Sequence, residues 1–262
     1  VKDATLLIFE GSSESTAQFK GAYTLNTAPW KDNGKTDNIT TTSATIVKQI
    51  DTPASSSDHC YALVVLNKND VFTVNETAKT ITLKGATATF SGTYKDFAES
   101  LSEENLTNNG FYMANAPLAS VAGGATDPAG AEINTLATLD GKIKEKESEA
   151  KSAPAQIYVE RGVAKVTMQN TSSPTKVDGS TKFGGTSTVD FEITSWVLDN
   201  TNKKTYLVRS TDGFGDWTSL ASNSTTLLQA NKYRFIGSNA VATGLYRTYF
   251  AKDANFDQTG NN

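Results

Sequence analysis

Two short runs constrain this chain most. Ala4–Phe9 reads ATLLIF and Cys60–Leu66 reads CYALVVL, apolar at successive positions rather than at alternate ones. Side chains of a strand point to opposite faces in turn, so a strand with apolar residues on both faces must lie between two covering layers. Neither run approaches the roughly 20 apolar residues that a membrane-spanning helix needs. No long stretch has the Ala/Leu/Glu/Lys character of a helix bundle. The 262 residues are rich in Thr, Ser and Asn, with 19 Gly and 6 Pro, which suits many strands joined by solvated turns. The expected class is all-β, with a few short helices.

The rest of the chain supplies shorter signals. Val71–Val74 and Thr80–Leu83 read as a strand pair, and Asn67–Asp70 as a turn. Ala44–Ile50 alternates like a strand with one solvent face. Tyr94, Phe97 and Leu101 change to helical spacing, and Thr93 with Asp96 resembles a capping box, which predicts a short helix. Phe111–Pro117 reads as a strand stopped by its proline. Leu136, Leu139 and Ile143 recur at helical spacing ahead of the charged run Lys142–Lys151, which reads as a surface helix or solvated extension. Val189, Phe191, Ile193, Ser195 and Val197 share one face of a strand, with Thr205–Arg209 as its hairpin partner.

Composition excludes several functions. The net charge of −4 and pI of 5.2 show no basic face for nucleic acid. One histidine, His59, and one cysteine, Cys60, are too few for a Cys/His metal site and rule out an internal disulfide. As neighbours in a strand they point to opposite faces, so a catalytic pair is not expected. Asp199, Asp212, Asp216, Asp253 and Asp257 lie in turn-like contexts, and Gly123-Gly124 and Gly184-Gly185 lack a phosphate-loop pattern. Sequons at Asn38, Asn75, Asn105, Asn170 and Asn223 follow from composition. Trp30, Trp217, Tyr246 and Tyr249 could stack on sugars, although core packing is the ordinary reading. No enzyme, cofactor or metal is indicated.

Ile157–Met168 (IYVERGVAKVTM) poses a separate question. Ile157 and Val159 are odd positions, whereas Ala164, Val166 and Met168 are even. One strand cannot keep both sets on one face without an extra residue. The expectation is a bulge at Arg161-Gly162 that puts both sets against one core, at a junction between two domains of 1–155 and 156–262.

Six blocks in this order carry a family likeness: Asp3–Gly11 (DATLLIFEG), Cys60–Asn67 (CYALVVLN), Asn109–Pro117 (NGFYMANAP), Tyr158–Val166 (YVERGVAKV), Trp196–Arg209 (WVLDNTNKKTYLVR) and Tyr246–Phe256 (YRTYFAKDANF). The chain resembles the fimbrillins, major shaft subunits of Bacteroidales type V fimbriae, and in particular their short-fimbria branch. The resemblance implies two transthyretin-like β-sandwich domains, the second incomplete here. It implies a secreted lipoprotein precursor and a mature protein in extracellular fimbriae on the outer membrane. In that family an arginine-specific protease removes the first strand, and a neighbour's strand fills the opened groove. The start at Val1, directly on strand-like sequence, is consistent with such processing. Family members usually continue past the last block to a donor strand. Implied partners are further copies of the pilin, anchor and tip subunits, and host or bacterial surface receptors, in adhesion and biofilm formation. An accessory or tip adhesin is the alternative. Leu6, Ile8, Leu63, Val65, Val159 and Val163 are the expected lining of the acceptor groove, with Arg161 and Gly162 at the domain junction.

Overall fold

The computed structural model describes residues 1–28, 43–51, 58–123, 132–169, 176–178, 188–190, 195–199, 201–211 and 236–255. In chain order the elements are β1 (Ala4–Gly11), β2 (Gln18–Thr24), β3 (His59–Leu66), β4 (Phe72–Asn75), β5 (Thr80–Leu83), α1 (Tyr94–Ala98), β6 (Leu101–Ser102), β7 (Met113–Asn115), β8 (Leu118–Ala119), β9 (Ile133–Asn134), β10 (Ala137–Thr138), α2 (Glu147–Ser152), β11 (Val159–Arg161), β12 (Lys176–Asp178), β13 (Thr188–Asp190), β14 (Thr205–Tyr206), β15 (Ile236–Ala242) and β16 (Leu245–Thr248). The strands pair in antiparallel sheets, so the protein is mostly β with few short helices.

The two doubly apolar runs become β1 and β3, adjacent at the centre of the principal sheet, whose order is β11-β7-β3-β1-β2. Their alternate residues feed two cores. Leu7, Phe9, Leu63 and Val65 face one cluster with Phe72 of β4, Ile81 of β5 and Phe97 of α1. Ala4, Leu6, Ile8, Cys60, Ala62, Val64 and Leu66 face a second cluster with Tyr23 and Leu25. Ile46 and Ile50 cover part of this second face. The segment that carries them is not a strand, contrary to the alternation of Ala44–Ile50. It is anchored by the Asp51 N–H, which donates to Tyr23 Oη (3.0 Å), and by Lys79 Nζ, 2.5 Å from Asp51 Oδ1.

The predicted helix is α1, shortened to a single turn and more. Thr93 caps it: its hydroxyl oxygen accepts from Asp96 N–H (3.1 Å), and Asp96 Oδ2 accepts from Thr93 N–H (2.7 Å). Phe97 is thereby driven between Phe72 and Phe90 in edge-on contacts, with the Phe9 ring tilted against it. The hydrogen bonds from Thr93 hold the Asp96 carboxyl below the usual carboxylate range. A group shifted down stabilises the fold above its unfolded pKa and loses that contribution as pH falls through the folded one. Thr93→Ala is expected to cost about 1 kcal/mol. The cost should be largest at neutral pH and shrink once the carboxyl is protonated, as urea unfolding at pH 7 and pH 3 would show.

The Asn67–Asp70 turn forms as the sequence indicates, and its asparagines do more than reverse the chain. Asn67 (φ 53°) and Asn69 (φ 51°) occupy the left-handed region, which Asn tolerates. Asn67 Nδ2 donates to Phe111 O (2.8 Å), and Asn69 Oδ1 accepts from Asn109 N–H (2.7 Å). The turn therefore fixes the approach to β7. Gly110, at φ 94°, sits where a Cβ would lie 2.9 Å from Asn67 Nδ2.

Several expectations differ from the structure. Leu136 and Leu139 are not helical: they flank β10, which pairs with β3, and Leu136 joins the first core while Leu139 packs on the second. The helix there is α2, later in the chain, with no buried residue and a Lys151–Glu147 ion pair at 2.5 Å. Thr205–Tyr206 pairs with β6 instead of forming a hairpin with the preceding strand, and β13 pairs with β12. Phe191 and Ile193 lie outside the described residues, while Ser195 and Val197 are exposed and not in a strand. The chain divides into two compact units, Val1–Val163 with Lys204–Asn262, and Ala164–Lys203. This differs from the expected boundary at 155/156, because β11 completes the sheet of the first unit through β7.

Candidate functional site

The six expected groove residues do not share a face. In the β1–β3 register Leu6 lies opposite Val64 and Leu7 opposite Leu63. Directly paired residues point the same way, so Leu6 and Ile8 belong with Val64, not with Leu63 and Val65. Val159 packs with Leu6 and Ile8 on the second cluster, and Val163 with Leu63 and Val65 on the first. The relative phase of two strands depends on a register that neither strand encodes by itself. β1 is also paired along both sides, with β2 and β3.

The irregularity at Arg161-Gly162 is real but has a different consequence. The strand stops at Arg161 without a bulge. Ile157 and Val159 pack on the second cluster, while Ala164, Val166 and Met168 are exposed in the other unit. They do not share one core. Gly162 is not at positive φ. Its backbone passes under Tyr112, where a Cβ would come 3.1 Å from Cδ1 of that ring, and its N–H donates to Tyr112 O (2.9 Å). Close approach, not turn geometry, explains the glycine. The Arg161 guanidinium lies 4.9 Å from the Phe111 ring centroid.

Beside β11 lies an ion pair shielded from most solvent. Arg209 pairs through Nε and Nη2 with the two carboxylate oxygens of Glu160, the second at 3.1 Å. Arg209 also donates from Nη1 to Phe250 O (2.5 Å) and from Nη2 to Thr248 O (3.1 Å). The two side chains are only 21% and 13% exposed. One guanidinium thus ties β11, the segment after β14 and the end of β16 together, using its planar fork of donors. Sequence reading marks Glu160 and Arg209 as parts of separate motifs but carries no sign that they meet. Tyr112 adds a link, its buried hydroxyl donating to Leu207 O (2.8 Å), and burial pushes that phenol upward.

The remaining candidates take structural duties. Cys60 is 3% exposed, and burial, with Glu10 and Asp140 nearby, pushes its thiol up to about 11. His59 is exposed on the opposite face, its Nδ1 2.5 Å from Asp140 Oδ2, while Asp140 Oδ1 accepts from Cys60 N–H. Asp253 accepts from Asn255 N–H (2.8 Å), as a turn residue does. Asn75 and Asn105 accept from the N–H groups of Ala78 and Thr107 in turns of their own. Tyr246 is half-buried. Tyr249 is exposed, beside the Arg247 guanidinium. Among the described residues no three His, Cys, Asp or Glu side chains gather to hold a metal, and no helix is long and apolar enough to cross a membrane. Trp30, Trp217, Asp212, Asp216, Asp257, the 184–185 glycines and the sequons at Asn38, Asn170 and Asn223 lie outside the described residues. Comparison with protein-family models, curated proteins and solved structures gave no match.

Proposed function

We propose that this protein is a structural shaft subunit of a bacterial cell-surface fimbrium, built of transthyretin-like β-sandwich domains and polymerising by donor-strand exchange after proteolytic loss of an N-terminal strand. The observation that carries this reading is the Arg209 cluster. Three of the motif blocks that resemble the fimbrillins, those containing Glu160, Arg209 and Thr248-Tyr249-Phe250, are far apart in sequence yet meet at one guanidinium. The two-sided apolar sheet fits the same reading, since a strand supplied by a neighbour satisfies backbone groups and seats alternate side chains in such a core. Because β1 and β3 are neighbours within a paired sheet, the donated strand would lie along an outer edge rather than between them. Head-to-tail contacts of this kind propagate into a filament.

The test is electron microscopy of the full-length precursor before and after cleavage by an arginine-specific protease. Filaments are expected only after cleavage. Cleaved protein that stays monomeric at high concentration would refute the shaft role.

A further inference from the structure

We propose that Asn109 is a site of spontaneous deamidation, and that its isoaspartyl product releases the turn that sets the approach to β7. Asparagine followed by glycine is the pair in which this chemistry is least hindered, because the attacking backbone nitrogen belongs to a residue with no side chain. The fold requires that glycine. Gly110 is at φ 94°, and a Cβ there would lie 2.9 Å from Asn67 Nδ2. The fold does not make the same demand of the Asn109 side chain. Asn109 is exposed, and the group that Asn69 holds is its backbone N–H. Asn67, Asn69 and Asn115 differ: all are buried, and each binds backbone groups through its side-chain amide.

In the reaction the Gly110 nitrogen attacks Asn109 Cγ. The N–Cγ bond forms, the Cγ–Nδ2 bond breaks, and ammonia leaves with the proton of the Gly110 N–H. The product is a cyclic succinimide. Water then opens the ring, either at Cγ to give aspartate or at the backbone carbonyl carbon to give isoaspartate, whose main chain runs through Cγ. No oxidant or reductant takes part. The Gly110 N–H donates to Thr107 O (3.1 Å), so this turn must open before the attack. Isoaspartate lengthens the main chain between Asn109 N–H and Gly110 O. Asn69 grips both: its Oδ1 accepts from Asn109 N–H (2.7 Å), and its Nδ2 donates to Gly110 O (3.2 Å). One planar side-chain amide cannot keep both bonds when an atom is inserted between their partners. Beyond Gly110, Asn67 Nδ2 donates to Phe111 O (2.8 Å), Tyr112 N–H donates to Leu106 O (2.9 Å), and β7 starts at Met113. Loss of the Asn69 grip therefore frees the entry to β7.

This modification does not depend on the shaft reading. It is tested on the full chain, incubated at pH 6 and at pH 8 and mapped by peptide mass spectrometry, with an isoaspartate methyltransferase as the label for the rearranged product. Acid is expected at Asn109 at least about tenfold faster than at Asn115, whose bonded amide must first be freed by opening of the sheet. The rate should rise from pH 6 to pH 8, because the attacking amide must lose its proton. Asn109→Gln serves as the control, since it keeps the backbone N–H that Asn69 holds and cyclises far more slowly. After the same incubation at pH 8, hydrogen exchange at Tyr112 and Met113 should be faster in the parent than in Asn109→Gln, with β1 and β3 equally protected in both. Conversion at Asn109 no faster than at Asn115, or a converted chain whose Tyr112 amide stays as protected as that of the variant, would overturn the proposal.

Discussion

Replacing Asn115 with leucine should cost about 3–5 kcal/mol of folding stability, more than a core substitution of similar size. Asn115 is almost completely buried at a fork in the principal sheet. On its second side β3 meets β7 only at Leu66↔Met113 and β10 at Ala62 and Tyr61, so the ladder is divided between two short strands. Asn115 bridges the gap. Its Oδ1 accepts from Val64 N–H (2.9 Å), and its Nδ2 donates to Ala62 O and Thr135 O, each at 2.9 Å. Leucine fills similar space but leaves three backbone groups without partners, each worth about 1–3 kcal/mol when buried. Asn115→Asp separates the contributions. It keeps the acceptor for Val64 N–H, loses both donations and buries a charge, so its folded pKa should rise. A raised carboxyl loses stability as pH climbs toward neutrality, so this variant should be weaker at pH 7 than at pH 5. Urea unfolding followed by circular dichroism measures both variants. A loss below about 1 kcal/mol for Asn115→Leu would show that the fork is sealed by other groups.

Asn115 also shows where sequence reading ends. The strands themselves were legible. Unbroken apolarity in Ala4–Phe9 and Cys60–Leu66 required cover on two faces, and both faces are covered. The hairpin of Phe72–Asn75 with Thr80–Leu83 and the Thr93–Asp96 cap were legible because their signals are local, within a few residues of the groups they bond. What was not legible is non-local. Nothing in MANAP distinguishes Asn115 from a turn asparagine, because its three partners come from β3 and from Thr135. The face shared by Leu6 and Val64 depends on inter-strand register, and Thr205–Tyr206 pairs with β6, a strand far earlier in the chain. The expected groove lining divides between two faces for the same reason: apolar positions can be read from each strand alone, but their relative phase cannot.

Removing the guanidinium at Arg209 tests the other non-local device. Arg209→Met should cost about 2–4 kcal/mol, below the range for a fully buried pair because some solvent reaches both partners. Methionine keeps much of the stem's packing, so the loss reports the bonds. It leaves the Glu160 carboxylate with little solvent, and the carbonyls of Thr248 and Phe250 lose a donor. Glu160→Gln should cost less, because the amide oxygen can still accept from Arg209 and the arginine keeps both carbonyl acceptors. The two changes share one network, so their sum should overstate the double variant by about 1–2 kcal/mol. A simple surface ion pair would give near-additive losses of a few tenths of a kcal/mol and would vanish in salt. Hydrogen exchange supplies the spatial readout. If Arg209 joins the three segments, Arg209→Met should speed exchange at Gly162 and at Lys252, whose amide bonds to Ser210 O (2.8 Å), while β1 and β3 stay protected. Uniform loss of protection across the sheet would mean that the arginine supports global stability alone. In that case the meeting of the three motifs at one side chain would say nothing particular about how these segments are held together.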